Sequence, residues 1–163
     1  MATDTPLSGA EFVLIAQVPK AGGRWHQVHF NTDVGRQFFR LNEGEERTVS
    51  MERVDAHGQV GPPVRRGLVF SHTNRNYRIE FDFDPVTAYP SEDRPLVLVL
   101  ELSLRRFRYL LLMPGDSGHE EMRLLNESED SIGKGVRRVV TTLDEVELRW
   151  PGCPLRGRAS AIE

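Results

Sequence analysis

Three carboxylates at alternate positions, Glu80, Asp82 and Asp84, have the spacing in this sequence that best suits catalysis. On an extended strand all three would lie on one face, and a cluster of carboxylates is what a hard cation such as Mg²⁺ needs. A metal-dependent nuclease of this kind would also use a lysine from a following strand, and the two strands predicted next contain none. A solvated acidic face beside Arg78 is therefore the favoured interpretation. We assign no catalytic residue, expect no metal and no cofactor, and predict that the domain alone is not an enzyme.

The other motifs of catalysis and cofactor binding are missing from the sequence. It has no phosphate-binding loop, dinucleotide glycine fingerprint, CxxC pair or GxSxG nucleophile motif. Its five histidines are scattered, and His26 and His29 would point to opposite faces of one strand, so they cannot easily share a metal. The single cysteine, Cys153, cannot form an internal disulfide, which fits a reducing cytoplasm. We expect it to be an unreactive, half-buried thiol.

Hydrogen-bond donors are concentrated in two segments, the first of which is PKAGGRWHQ. Cations and an aromatic ring flank its glycine turn, and such groups suit a phosphate and sugar contact or stacking on a base. The alternative, to which we give equal weight, is a hairpin whose tryptophan packs on a barrel. The candidate DNA-binding residues of this segment are Lys20, Arg24, Trp25, His26 and Gln27.

The second donor-rich segment begins at VRRGLVF and continues through SHTNRNYRIEF. In the major groove arginine can form two parallel hydrogen bonds with guanine, and asparagine two with adenine. The alternative is an asparagine-rich turn, because asparagine tolerates the left-handed backbone conformation. The arginines and the histidine nearby favour DNA recognition. The candidate residues of this segment are Arg65, Arg66, His72, Asn74, Arg75, Asn76 and Arg78.

The basic residues are nearly all arginines: of 21, only Lys20 and Lys134 are lysines, which leaves 19. Arginine offers a planar fork to phosphate or guanine, although a GC-rich genome also explains the bias. Acidic residues 43–46 and 127–130 lie apart from the basic segments, so we expect a polarised surface despite a net charge of −3. A further basic group suits either phosphate contacts or a solvated face. It comprises Arg105, Arg106, Arg108, Lys134, Arg137 and Arg138.

A hydrophobic period of two dominates the first two thirds of the chain and predicts strands joined by short turns. A short helix or turn should bury Phe38 and Phe39, and capping-box patterns at Ser117 and Thr142 should each begin a later helix. Short connections imply antiparallel pairing, and too few helices separate the strands for a doubly wound α/β fold. We predict a mainly β fold, a seven- or eight-stranded antiparallel barrel or pseudobarrel with two or three short peripheral helices. The predicted strands cover residues 11–18, 25–30, 47–54, 64–70, 76–83, 96–104, 106–113 and 136–141.

The chain is long enough for one domain with a substantial core, which we place at residues 10–152. Residues 1–9 are expected to be a flexible N-terminus and residues 153–163 a loose tail. The longest apolar run, residues 96–100, is too short to cross a bilayer, and the N-terminus lacks the features of a secretory signal. A cytoplasmic location without a membrane partner is therefore expected.

The succession of segments resembles a DNA-binding pseudobarrel of the B-three type, as found in specificity domains of some restriction endonucleases. EFVLIAQVPKAGG and WHQVHFNTDVGRQFF come first, SHTNRNYRIEF follows, and FRYLLLMPGDSGHEEMRLLN and TTLDEVELRW come last. The resemblance implies two arms, residues 20–29 and residues 65–78, that hold double-stranded DNA at its major groove. It places nuclease activity in another domain, of the same or another chain, and leaves open whether modified DNA is required.

A protein-interaction β-domain, whose arginines contact acidic partners, is the remaining alternative. The net negative charge argues mildly against a general nucleic-acid coat protein. If the arginines contact protein, replacing Asn74 or Asn76 with alanine would leave any affinity for DNA unchanged.

Overall fold

The computed structural model describes residues 11–18, 27–81, 89–91, 93–128 and 137–157. These residues form eight strands and three short helices. The strands are β1 (Phe12–Gln17), β2 (Gln27–Asn31), β3 (Arg47–Arg53), β4 (Val64–Ser71), β5 (Asn76–Glu80), β6 (Leu96–Ser103), β7 (Arg106–Leu112) and β8 (Arg138–Thr142). The helices are α1 (Thr32–Gln37), α2 (His119–Ser128) and α3 (Leu143–Arg149). Among the described residues, no helix has the length and apolar character needed to span a membrane.

The eight strands form one mixed sheet, in the order β2-β5-β4-β3-β7-β6-β1-β8, that curls into a half-barrel. This arrangement confirms the predicted mainly β fold with short peripheral helices. Every neighbouring pair is antiparallel except β3 and β7, which run parallel over residues 50–53 and 106–109. The prediction of an all-antiparallel barrel was wrong at this pair. It relied on short turns between consecutive strands, whereas β4, β5 and β6 separate β3 from β7 in the chain.

The two end strands of the sheet, β2 and β8, are bridged by a side chain. Arg138 of β8 is only 8% exposed, and its Nη2 donates a hydrogen bond to the carbonyl oxygen of His29 in β2 over 3.4 Å. Burial lowers the pKa of this guanidinium. An arginine thus spans the gap at which a closed barrel would have a ladder of backbone hydrogen bonds.

The inner side of the curled sheet holds the larger hydrophobic core. Tyr77 and Ile79 of β5 point into it, which confirms the predicted alternation of that strand. Phe38 and Phe39, which follow α1, are buried as predicted, with ring centroids 4.9 Å apart in an edge-to-face arrangement. Phe107 of β7 packs against both rings. Since each such aromatic pair adds about 0.5–1.5 kcal/mol beyond its buried area, the rings hold the segment after α1 in the core.

The outer side of β1 and β6 is buried as well, beneath α2 and α3. Val13 and Ile15 of β1 pack there with Met122 of α2 and Val146 of α3. Strands buried on both sides carry continuous apolar runs, which explains the LVLVL sequence of β6. In contrast, β4 and β5 alternate between buried and more exposed residues, so their outward side remains open to solvent.

The two predicted capping boxes have different outcomes. Thr142 Oγ1 accepts a hydrogen bond from the backbone N–H of Glu145 over 3.2 Å, so α3 begins as predicted. The short helix predicted at Ser117 is confirmed, but α2 begins at His119, and Gly118 rather than Ser117 occupies the position directly before it. Gly118 has a φ of +94° and lies against the indole of Trp150, so a side chain at this position would be disfavoured.

The segment after α3 packs on the outer side of β7. Leu155 is fully buried, and Arg108 Nη1 donates a hydrogen bond to its carbonyl oxygen over 3.0 Å. Arg156 forms an ion pair with Glu147 of α3 over 2.7 Å. Residues 153–157 are therefore part of the folded body, unlike the loose tail expected from the sequence, whereas residues 1–10 and 158–163 lie outside the described residues.

Candidate nucleic-acid interface

The outward side of β2, β5 and β4 forms a surface that we call the open face. Its position follows from register: His29 of β2 pairs with Arg78 of β5, and Arg78 pairs with Val69 of β4. The residues next to them along each strand point into the core. By the same alternation, the open face comprises His29 of β2, Asn76, Arg78 and Glu80 of β5, and Arg65, Gly67 and Val69 of β4.

Two arginines of the open face are exposed and uncommitted. Neither the Arg65 nor the Arg78 side chain makes a hydrogen bond or an ion pair with any described residue. Most other arginines of the described part are held by carboxylates or backbone carbonyls, as Arg123 is by Glu120 and Glu127. An unpaired guanidinium on a strand is free to donate its fork of N–H groups to an external acceptor.

Arg66 of β4, another of the predicted DNA-binding residues, lies close to a carboxylate. Arg66 Nη1 is 4.0 Å from Glu80 Oε1, and both side chains are partly exposed. Glu80 belonged to the predicted metal-binding trio, of which Asp82 and Asp84 lie outside the described residues. Within the described part of the chain no group of three His, Cys, Asp or Glu residues could hold a metal ion.

His29 is a surface residue that our sequence interpretation did not select. Partial burial lowers the pKa of its imidazole, and the adjacent Arg78 cation lowers it further. The ring is therefore neutral at pH 7, with one nitrogen as donor and the other as acceptor. The apolar neighbours Val28 and Phe30 already implied that His29 faces outward, which is the signal that could have identified it.

The turn between β4 and β5 spans residues 72–75 and is closed by two hydrogen bonds that Ser71 accepts. The N–H of Arg75 donates to the carbonyl oxygen of Ser71 over 2.7 Å, and the N–H of Asn74 donates to Ser71 Oγ over 3.2 Å. Arg75, rather than an asparagine, has the left-handed conformation, with a φ of 52°. The predicted donors His72, Asn74 and Arg75 are all exposed at this turn.

Two candidate side chains near the turn are held by the fold. The His72 ring packs edge to face on Phe70, with centroids 4.9 Å apart. Asn76 is half-buried, and its Oδ1 is enclosed without a hydrogen bond from any described residue. Contact with adenine would use both amide atoms of an asparagine, and in the unbound protein Asn76 does not present its oxygen to solvent.

The acidic residues after α1 lie beside the turn, so the predicted separation of charge was wrong at this place. Glu43 forms an ion pair with Arg75, and a carboxylate oxygen of Glu46 accepts a hydrogen bond from the N–H of Phe70 over 2.9 Å. Register explains the proximity. Arg47 pairs with Leu68 in antiparallel strands, so the residues before Arg47 run alongside those after Leu68.

Only the last residue of the first donor-rich segment, Gln27, lies within the described part of the chain. Lys20, Arg24, Trp25 and His26 lie outside the described residues, and Gln27 is the first residue of β2. Gln27 pairs with Glu80, whereas Asn31 pairs with Asn76 next to the turn. The start of β2 and the turn thus border opposite ends of a ladder about 14 Å long, at roughly 3.4 Å per residue.

The further basic group serves mainly the fold. Arg108 Nε donates a hydrogen bond to a carboxylate oxygen of Glu52 over 2.8 Å, and Arg137 donates to the carbonyl oxygen of Asn126 over 3.0 Å. The side chains of Arg105 and Arg106 extend to β3, and Arg138 bridges β2 and β8. Lys134 lies outside the described residues. Cys153 is half-buried as predicted, and burial raises the pKa of its thiol to about 11.

Comparison with known proteins shows the class of fold but no family. No protein-family model matches the sequence, and a search of curated proteins found no match. Among solved structures, the chain is similar to the N-terminal domain of Helicobacter pylori LlaJI.R1, a restriction-type protein, with a TM-score of 0.53 and 10% identity. The similarity covers 80% of this chain and 97% of that domain. This chain thus shares its β fold with a domain of a restriction-type protein.

Proposed function

We propose that this chain is a recognition domain of a restriction-modification system that binds double-stranded DNA through the open face and the turn 72–75. The observation that carries the proposal is the pair of exposed, uncommitted arginines, Arg65 and Arg78, on one side of the sheet. The fold shared with a restriction-type protein supports the setting.

The shape of the site fits the major groove. The major groove is about 12 Å wide and admits two strands. In the sheet β4 and β5 are flanked by β3 and β2, so the part proposed to enter the groove is the end of the β4–β5 hairpin, beyond Leu68 and around the turn. The inward side chains of the hairpin fill the core, so the strands are rigid and the outward side chains start from fixed positions. In the two-arm arrangement that the resemblance implies, this hairpin would belong to the second arm, residues 65–78.

We assign a different role in DNA binding to each of the exposed donors. Arg65 and Arg78 are far enough apart on the hairpin to contact a phosphate and a base edge, respectively, or two phosphates. His72 and Asn74 at the exposed turn supply further donors. The ion pair between Glu43 and Arg75 must open if Arg75 is to contact DNA, so we propose that Arg75 contributes less than Arg65 or Arg78.

Arg65→Gln and Arg78→Gln should each weaken duplex binding about tenfold or more, because each removes an uncommitted cation from the interface. Fluorescence anisotropy with a duplex library across a series of salt concentrations measures this effect. A variant that has lost a phosphate contact should also show a slope of log affinity against log salt reduced by about one.

The matched control is Arg149→Gln, since Arg149 lies on α3 and pairs with Glu145 within its own helix. It should bind as the unaltered protein does. Absence of duplex binding even at low salt, or an equal loss in the control, would refute the proposal.

A protein-interaction domain is the second candidate, and the acidic segment beside the turn favours it. The ion pair between Glu43 and Arg75 shows that a carboxylate already occupies one of the candidate donors. In that case Asn74→Ala leaves DNA affinity unchanged, whereas the DNA-binding proposal expects a loss.

A further inference from the structure

Val69 is a partly exposed apolar residue on the outward side of β4. It is 39% exposed on the open face and belongs to neither hydrophobic core. The residue opposite it on β5 is Arg78, and beyond Arg78 on β2 lies His29. Val69 thus presents part of its apolar side chain to solvent between polar neighbours.

The side of Val69 that faces residue 67 is not covered by a side chain. Gly67 is on the same side of β4 and is exposed. A Cβ atom built there would meet only Val69 Cγ2, at 3.5 Å, which is ordinary van der Waals contact. The fold would therefore tolerate a side chain at residue 67, and such a side chain would cover part of the valine. A glycine in a strand interior often marks close approach of a ligand.

Resting on the proposed function, we infer that Val69 contacts the C5-methyl group of a pyrimidine in the major groove while Arg78 bonds the edge of a neighbouring guanine. The C5-methyl projects into this groove and is matched by apolar side chains, and arginine is the usual partner of guanine O6 and N7. Opposite residues on paired strands lie about 5 Å apart, and successive bases are separated by about 3.4 Å. The two side chains can therefore contact adjacent base pairs.

Thymine and 5-methylcytosine carry the same methyl group, and three duplex libraries distinguish them. All three libraries contain the same randomised region and differ only in the chemical form of the pyrimidines. The first contains thymine and cytosine, the second contains uracil in place of thymine, and the third contains 5-methylcytosine in place of cytosine. Bound duplexes are selected from each library, and their affinities are then measured in all three chemical forms. The methyl group should contribute about fourfold, the effect of burying one such group.

A loss in the uracil form identifies thymine as the source of the methyl group, and a gain in the methylcytosine form identifies 5-methylcytosine. Val69→Ala should remove most of the discrimination, so that the three chemical forms bind the variant with nearly equal affinity. Gly67→Ala, which covers the valine without altering it, should reduce the discrimination as well. Circular dichroism and urea unfolding check that both variants are folded.

Failure of this inference is distinguishable from failure of the proposed function. If the protein binds duplexes but the three chemical forms bind equally, or if Val69→Ala retains full discrimination, the methyl contact is refuted and the DNA-binding proposal stands. If no library is bound at all, both are refuted.

Discussion

At the scale of single residues, the glycines that precede the second helix show how one missing side chain can determine local structure. Gly115 and Gly118 have the same φ of +94°, in the region that disfavours other residues. They differ in surroundings: a Cβ at residue 115 would have no atom within 4 Å, whereas one at residue 118 would lie 2.3 Å from the indole of Trp150.

Gly118→Ala should destabilise the protein more than Gly115→Ala. The left-handed conformation costs an alanine about 1–2 kcal/mol in both variants, and the contact with Trp150 adds about 1–3 kcal/mol of overpacking at residue 118 only. Urea unfolding gives the two free energies of unfolding. Equal losses would show that the Trp150 side chain moves aside without a cost in free energy. The backbone conformation alone would then require the glycine.

How much the sequence predicts also differs from residue to residue. Alternation placed Tyr77 and Ile79 in the core, because a period of two depends only on local geometry. The contact of Glu43 with Arg75 was not predictable in this way, since it arises from the pairing of β3 with β4. Similarly, the sequence identified donors at residues 72–76 but could not show that Asn76 Oδ1 is enclosed.

At the scale of elements, the outer side of β3 and β7 depends on one carboxylate and its arginine. Glu52 is almost fully buried, and Arg108 Nη2 lies 2.7 Å from its Oε2. The same guanidinium also donates a hydrogen bond to the backbone of Leu155, after α3. One side chain thereby joins two strands to the segment that ends the described part of the chain.

Arg108→Ala should lower the free energy of unfolding by about 3 kcal/mol, because it leaves the Glu52 carboxylate buried without that partner. Combining it with Glu52→Gln should recover part of the loss, since the charge that is then compensated only by Arg106, at 3.8 Å, is removed. The control is Arg36→Ala, which breaks an exposed pair with Asp33 and should cost less than about 1 kcal/mol. If the double variant recovers nothing, the effect of Arg108 lies in its contact with residue 155.

The type of an element was predictable where its hydrophobic pattern is long, but the pairing of the strands was not. The apolar run of β6 and the alternation of β5 each indicate a strand from local sequence alone. The parallel pairing of β3 with β7 has no local signal, because it depends on how the intervening strands return across the sheet. Consequently, eight strands were predictable, but the open face was not, since it follows from which strands the helices leave uncovered.

At the scale of the whole molecule, the proposal separates recognition from cleavage. Three carboxylates at residues 80, 82 and 84 remain the only rival catalytic group that we identified in the sequence, and Glu80 lies 4.0 Å from Arg66. Under this proposal, cleavage would come from a nuclease domain in the same or another chain.

The isolated chain should therefore leave supercoiled and linear duplex DNA intact in the presence of Mg²⁺ or Mn²⁺. Incubation with plasmid at concentrations that saturate binding, followed by electrophoresis, measures this. Cleavage that disappears in both Asp82→Ala and Asp84→Ala would instead support the metal-dependent nuclease, and Glu127→Ala serves as the control because Glu127 pairs with Arg123 on α2.

The position of β1 within the sheet has a consequence for synthesis on the ribosome. Val13 pairs with Leu100 on one side and with Thr141 on the other. After Val13 is synthesised, its partner in β8 is added only about 130 residues later, roughly 6 to 25 s at 5–20 residues per second. During that interval the apolar side chains of β1 are available to chaperones or to other nascent chains, so the yield of folded protein should depend on the rate of translation.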